Sequence, residues 1–199
     1  MNEGSPTRSR LIVLKAERQA MQEGYVFLDE KCLLLAGAML RELRHHDALL
    51  DALGAAQQAA ESALRAALAR HGLDGLSVYP ALDERSLGLR ETRTSLIGVA
   101  LREAELVVTA QAAAAAVFPS PEAEACRAAF VAFAQAASAL AASVGNLVRL
   151  EREYRRTVRR ASSLHDVVLP ELEREVVEID GALEELERDE ALWVRLRRR

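Results

Sequence analysis

Turn-forming and aromatic residues are scarce in this chain. Ten glycines and five prolines occur among 199 residues, well under the roughly 12% that the two types average together. Aromatic residues make up only 4%. A sandwich or barrel needs a turn every 8–12 residues or so and aromatic-rich strands, and this composition disfavours both. Two cysteines, Cys32 and Cys126, form no disulfide framework, and their apolar surroundings suit reduced thiols in a cytosolic protein. No excess of positive charge exists either: 26 basic and 30 acidic side chains leave a net charge of -4. Binding to nucleic acid would therefore need a local basic patch. No uninterrupted apolar run reaches the ~20 residues that span a bilayer, and the first ten residues lack an apolar signal core, so no export signal is expected. The phosphate loop GxxxxGK[ST], the nucleophile elbow GxSxG and the CxxC pair are all missing. Neither catalysis nor a cofactor nor a metal is expected of this chain.

What is present is a helix-forming vocabulary. Half of the residues are apolar and 28% are charged, with Ala, Leu, Arg and Glu, all strong helix formers, dominant. From Leu11 a strict 3-4 spacing runs through Leu14, Arg18, Met21, Tyr25, Leu28, Cys32, Leu35, Met39, Glu42, His46, Leu49 and Leu53, and ten of these thirteen are apolar. A seam so narrow and so long is the mark of a coiled coil. Pro6 and Thr7 precede it as breaker and cap. The helix should fade near Arg70, before the glycines at 72 and 75.

A second seam occupies the C-terminal part: Leu140, Val144, Leu147, Tyr154, Val158, Ala161, Val168, Leu172, Val176, Ile179, Leu183, Leu186 and Trp193. Four-residue steps around Leu172 read as a stutter, and Pro170 predicts a kink near Asp166 without a stop. Ser120, Pro121 and Glu122 make a good helix start. Between the seams, residues 76–101 predict a small irregular cap with a two-stranded hairpin, its turn within 91–94, and residues 102–117 predict a return to helix. The chain is thus read as all-α. A long antiparallel two-helix coiled coil is expected, with an N-terminal helix over 7–70, a cap over 71–119 and a C-terminal helix over 120–199. Each helix would run about 90–110 Å at 1.5 Å per residue, paired in a thin rod with both termini at one tip. Few aromatics suggest an outer face without sticky anchors.

Three clusters stand apart from the seams. His45, His46 and Asp47 are adjacent, point about 100° apart on a helix and do not chelate together. Arg149, Arg152, Arg156, Arg159 and Arg160 recur at helical spacing, interleaved with Glu151 and Glu153, either as a solvated ion-pair face or as a contact for an acidic partner. Arg195, Arg197, Arg198 and Arg199 end a helix, where cations suit the dipole; with Arg8 and Arg10 they would make a basic tip.

The residues resemble a known family, the D subunits of V/A-type ATPases. The opening Pro6-Thr7-Arg8, Leu11, Leu14-Lys15, then Gly24-Tyr25, Leu28 and Lys31, is similar to its N-terminal signature. Arg159-Arg160-Ala161 leading through His165-Asp166 into Leu169-Pro170-Glu171-Leu172-Glu173 resembles its second signature, and Ser95-Leu96-Ile97-Gly98-Val99 resembles its Gly-Val hairpin element. The resemblance implies a non-catalytic central-stalk rotor component, coupling ATP synthesis or hydrolysis in a catalytic head to proton or sodium transport through a membrane ring. It implies the A and B subunits of the head and the F and C subunits of the stalk as partners, and a cytoplasmic position peripheral to the membrane. Under it, Arg8, Arg152, Arg156, Arg159, Arg195 and Arg199 are the candidate partner contacts. A free-standing coiled-coil scaffold is the rival reading, which seam periodicity alone does not separate.

Overall fold

The computed structural model of the chain describes residues 7–80, 86–109, 116 and 119–197. In order along the chain come α1 (Arg8–Ser77), a hairpin of β1 (Leu87–Leu96) and β2 (Val99–Val108), α2 (Pro121–Ser163), a π turn (Leu164–Val168) and α3 (Leu169–Arg197). The architecture is two long helical stretches with a small antiparallel hairpin between them. Two compact units partition it: the first part of α1, through Leu34, belongs with the chain from Tyr154 onward, and residues Leu35–Glu153 form the other.

Local chemistry sets the helix ends. The N–H of Arg10 donates to Thr7 Oγ1 at 3.3 Å and that of Leu11 to the Thr7 carbonyl at 3.1 Å, which satisfies donors that a first turn leaves open. At the start of α2, Ser120 Oγ accepts from the Ala123 N–H at 3.1 Å, Pro121 opens the first turn, and Glu122 and Glu124 face the positive dipole end. The helical geometry of α1 breaks at Gly72, where φ 69 and ψ 174 suit glycine, and then resumes to Ser77.

In the first unit the two stretches run antiparallel, since partner numbers fall as α1 numbers rise. Arg8 meets Glu187, Lys15 Nζ lies 3.2 Å from Asp180 Oδ2, and the Tyr25 ring lies 5.1 Å from that of His165. Leu14 packs with Leu172 and Val176, surrounded by Leu11, Met21, Val168 and Ile179. Between α2 and α3 the expected kink takes a definite form. The Leu169 N–H donates to the Leu164 carbonyl, five residues back. Pro170 has no N–H, and its ring would clash with the carbonyl four residues earlier; one widened turn removes that conflict and lets the helix continue.

In the second unit Leu35, Ala38, Ala60 and Ala67 of α1 are buried, as are Ala123, Cys126 and Leu150 of α2. A polar layer interrupts this packing. Glu42 Oε1 accepts from Ser143 Oγ at 2.8 Å and from Asn146 Nδ2 at 3.3 Å, so the carboxylate at a seam position is satisfied. Asn146 also fixes the hairpin. Its Oδ1 accepts from the Arg102 N–H at 2.8 Å, and its Nδ2 donates to the Arg102 carbonyl at 2.9 Å, as the backbone of a third strand would. Both backbone groups of Arg102 therefore point away from β1, and the Arg93–Arg102 pair is a non-hydrogen-bonded pair of the ladder.

Several expectations are corrected. The hairpin turns at Ile97–Gly98, not within 91–94: Leu96 pairs with Val99, and φ is 49 at Ile97 and 82 at Gly98. A two-residue hairpin turn wants two positive φ values, and glycine supplies one cheaply. Arg102 through Val108 is strand, not helix: exposed Glu103 and Glu105 alternate with half-buried Ala104 and Leu106, a period of two; 110–115 and 117, further residues of that expected helix, lie outside the described residues. Of the expected seam residues, Val144, Leu186 and Trp193 are exposed. Near Val144 the buried side of α2 is carried by Ser143, Asn146 and Leu150. At the far end Arg8, the first residue of α1, already stands opposite Glu187, so among the described residues no helix faces Trp193. Within Pro121–Arg197 one stretch is long and apolar enough to cross a membrane by length and composition alone; it reflects 21 uncharged residues between Arg127 and Arg149.

Candidate functional site

Among the described residues no group of three His, Cys, Asp or Glu side chains is placed to hold a metal ion. Because Arg8 pairs with Glu187, α3 runs ten residues further, about 15 Å of helix. Arg8, one member of the expected basic tip, is engaged by Glu187, whose carboxylate raises the guanidinium pKa through a hydrogen bond and charge. Arg195 and Arg197 close the last turn of α3, where cations complement the dipole. Arg198 and Arg199 lie outside the described residues.

That overhang is not purely basic. Leu192, Trp193, Val194 and Leu196 are exposed along it, Trp193 at 69%. Large apolar side chains in this number on one short helical end mark a contact surface. The expectation of an outer face without aromatic anchors is corrected here and at Phe27, which is 62% exposed. Phe27 belongs to a pattern that the seam periodicity does not contain. Ile12, Val26 and Leu33 follow at intervals of fourteen and seven, and Val13, Phe27 and Leu34 repeat the same intervals one residue later, all exposed on α1. The signal in the sequence is a second seven-residue period offset from the seam.

Seam residues on α1 stand as follows. Leu14 and Leu35 are buried, and Leu11, Met21, Tyr25, Leu28 and Met39 are half-buried. On the C-terminal side Leu172 is buried and Val158, Val168 and Ile179 are half-buried, while Leu186 is 49% exposed. Arg152, Arg156 and Arg159 are all exposed, spaced four and three apart, and none has a carboxylate within ion-pair distance among the described residues. Arg155, Glu151 and Glu153, interleaved with them, do have partners. The face thus carries three guanidinium groups open to an incoming anion beside engaged neighbours. His45 is exposed, and His46 is half-buried with no hydrogen-bond partner at Nδ1.

No curated protein matches this sequence. A family model that describes the D subunit of ATP synthase matches residues 10–197. That span takes in both long helical stretches, the hairpin, the π turn and the overhang. The chain belongs to the ATP synthase D-subunit family, whose members are stalk components of rotary ATPases.

Proposed function

We propose that this chain is the central-stalk rotor of a V/A-type ATPase or ATP synthase, carrying torque between a catalytic head and a membrane ion-translocating ring. The observation that carries this reading is the family match over residues 10–197. Antiparallel pairing of α1 with α3 through Leu14, Leu172 and Val176 supports it, because two hydrogen-bonded helices locked side by side resist twisting. The chain supplies no catalytic group in this scheme; hydrolysis or synthesis belongs to the A and B subunits of the head, and the chain couples it to proton or sodium movement. The F and C subunits of the stalk are the other partners, and the chain lies on the cytoplasmic side, peripheral to the membrane. Residues 7–70 and 120–199 form the coiled-coil rotor body and 71–119 its cap. The overhang beyond Glu187, with Leu192, Trp193 and Arg195, is the part that seats in the head, and the Arg152, Arg156 and Arg159 face meets an acidic partner.

Co-expression with an F-type stalk partner tests this directly. A 1:1 complex is expected; a chain that remains alone or pairs only with itself would favour the scaffold reading.

A further inference from the structure

In the second unit, β1 and β2 pack over α2 and leave a half-open cleft of about 260 Å³. Leu89, Glu91, Arg102 and Ala104 of the hairpin line one side, and Ser138, Gly145 and Arg149 are among the α2 residues of the other. Charge here is unbalanced. Arg93 and Arg102 stand directly opposite each other in the ladder, which places two like charges on one face of the hairpin. Glu91 serves both, 3.5 Å from Arg93 Nη2 and 3.6 Å from Arg102 Nη1. Arg149 brings a third guanidinium. It donates from Nη2 to Asn146 Oδ1 at 2.7 Å and has no carboxylate within ion-pair distance among the described residues. On its N-terminal side 21 uncharged residues of α2 precede Arg149, so no carboxylate is offered from the turns before it. Two of the three cations thus share one carboxylate, and Arg149 reaches only the Asn146 amide oxygen.

Hydrogen bonding points the same way. The Nε atoms of both Arg102 and Arg149 are buried and lack an acceptor. Native proteins rarely leave such donors unmade, and an orphaned donor calls for a missing partner. Asn146 holds the two arginines together, since its Oδ1 accepts from the Arg102 N–H as well as from Arg149. The Arg149 guanidinium lies over Gly145, where an added Cβ would sit 3.3 Å from Nη1. A planar guanidinium offers its Nε and Nη donors side by side, the geometry that suits a tetrahedral oxyanion.

We propose that this cleft binds a phosphate group, either free inorganic phosphate or the phosphate of a nucleotide, held by Arg102 and Arg149 with Glu91 as the competing internal anion. An anion suits it because two guanidinium groups line the cleft against one carboxylate, and that carboxylate is also engaged by Arg93. A small rotation of each arginine brings its Nε and Nη pair onto the oxyanion, relieves the Arg93–Arg102 opposition and loosens Glu91. The site does not depend on the rotor role.

Titration calorimetry on the full chain at low ionic strength tests it, with inorganic phosphate and with ATP as separate probes and chloride at matched ionic strength as reference. Saturable phosphate binding is expected, weakening as salt rises. Arg149→Gln should weaken it by about tenfold or more, the loss of one charge-assisted pair. Glu91→Gln should tighten it by roughly threefold or more, because the competing carboxylate is gone. Arg90→Gln, on the other face of the hairpin and paired with Glu105 at 3.3 Å, should leave it unchanged. ATP binding more tightly than phosphate assigns the nucleotide as source; equal or weaker binding assigns free phosphate. No saturable binding of either probe, or Glu91→Gln weakening the interaction, overturns the proposal. The Glu91→Gln arm stands even if Arg149→Gln does not fold, since tightening is not a consequence of damage.

Discussion

Asn146 holds an N–H and a C=O of the same strand residue, Arg102, and a carboxylate oxygen of Glu42 on the opposite helix. Leucine has a similar volume and none of these groups. Asn146→Leu would leave these three groups, and Arg149 Nη2 that also donates to Oδ1, without one of their bonds at a buried position, at a cost of about 2–3 kcal/mol. Urea denaturation should show this as a lower midpoint, and hydrogen exchange at the Arg102 amide should quicken by a larger factor than at Leu101. Equal protection in the two proteins would mean that the amide clamp does not hold the hairpin. Cys32 offers a second residue-scale check. Burial, and then the charge of Asp29, raise its thiol pKa above the ordinary value. The thiol form therefore persists to higher pH, and the thiolate that alkylates is scarce at pH 8. The rate of alkylation at Cys32 by iodoacetamide should be lower at pH 8 than that of a free thiol and should still be climbing above pH 9. A plateau below pH 8.5 would contradict the raised value.

At the scale of an element, the π turn and Pro170 explain each other. A π turn is an α-helix with one residue added, so Leu164–Val168 shifts everything after it by about 100° around the axis. The packing of Leu172 and Val176 against Leu14 is set with that shift included. Deleting the exposed Val167 alone restores α geometry but returns Pro170 to a clash, at about 3 kcal/mol. Deleting Val167 together with Pro170→Ala should recover most of that loss. Thermal unfolding followed by circular dichroism compares the two; a double variant no better than the single one would show that the proline is not the cause.

Sequence patterns are most legible where side-chain chemistry alone carries the period. Leu14, Leu35 and Leu172 are apolar, sit at 3-4 spacing and are buried. They mislead where burial falls on polar residues. Ser143, Asn146 and Thr157 take the inner side of the long C-terminal stretch, and no hydrophobic count finds them, because what admits them there is a partner across the interface such as Glu42. The place of the hairpin turn is hard to read for a related reason: isoleucine is a poor residue at positive φ, so Ile97 carries no turn signal. The outer apolar period of Ile12, Val26 and Leu33 was hidden by the stronger seam beside it.

At the scale of the whole molecule, the family match and the overhang of α3 together make one prediction. Removing residues 190–199 takes away the exposed Leu192, Trp193 and Leu196 and leaves untouched the core around Leu14. The shortened chain should fold, with the same helical signal, and should still join its stalk partner. ATP-driven ion transport in reconstituted membranes should fall relative to ATP hydrolysis, since the part proposed to seat in the head is gone. Transport and hydrolysis falling in the same proportion, or neither changing, would remove the overhang from the coupling route.

The widened turn before Pro170 has a genetic counterpart. One added codon in a helix normally throws every later position out of register, yet here the extra residue is absorbed within five. A gene for this chain with three nucleotides fewer at that point, and without the proline codon, should encode much the same packing. Alignments that force Leu14 to meet Leu172 should therefore open a single-position gap between Ser163 and Leu169.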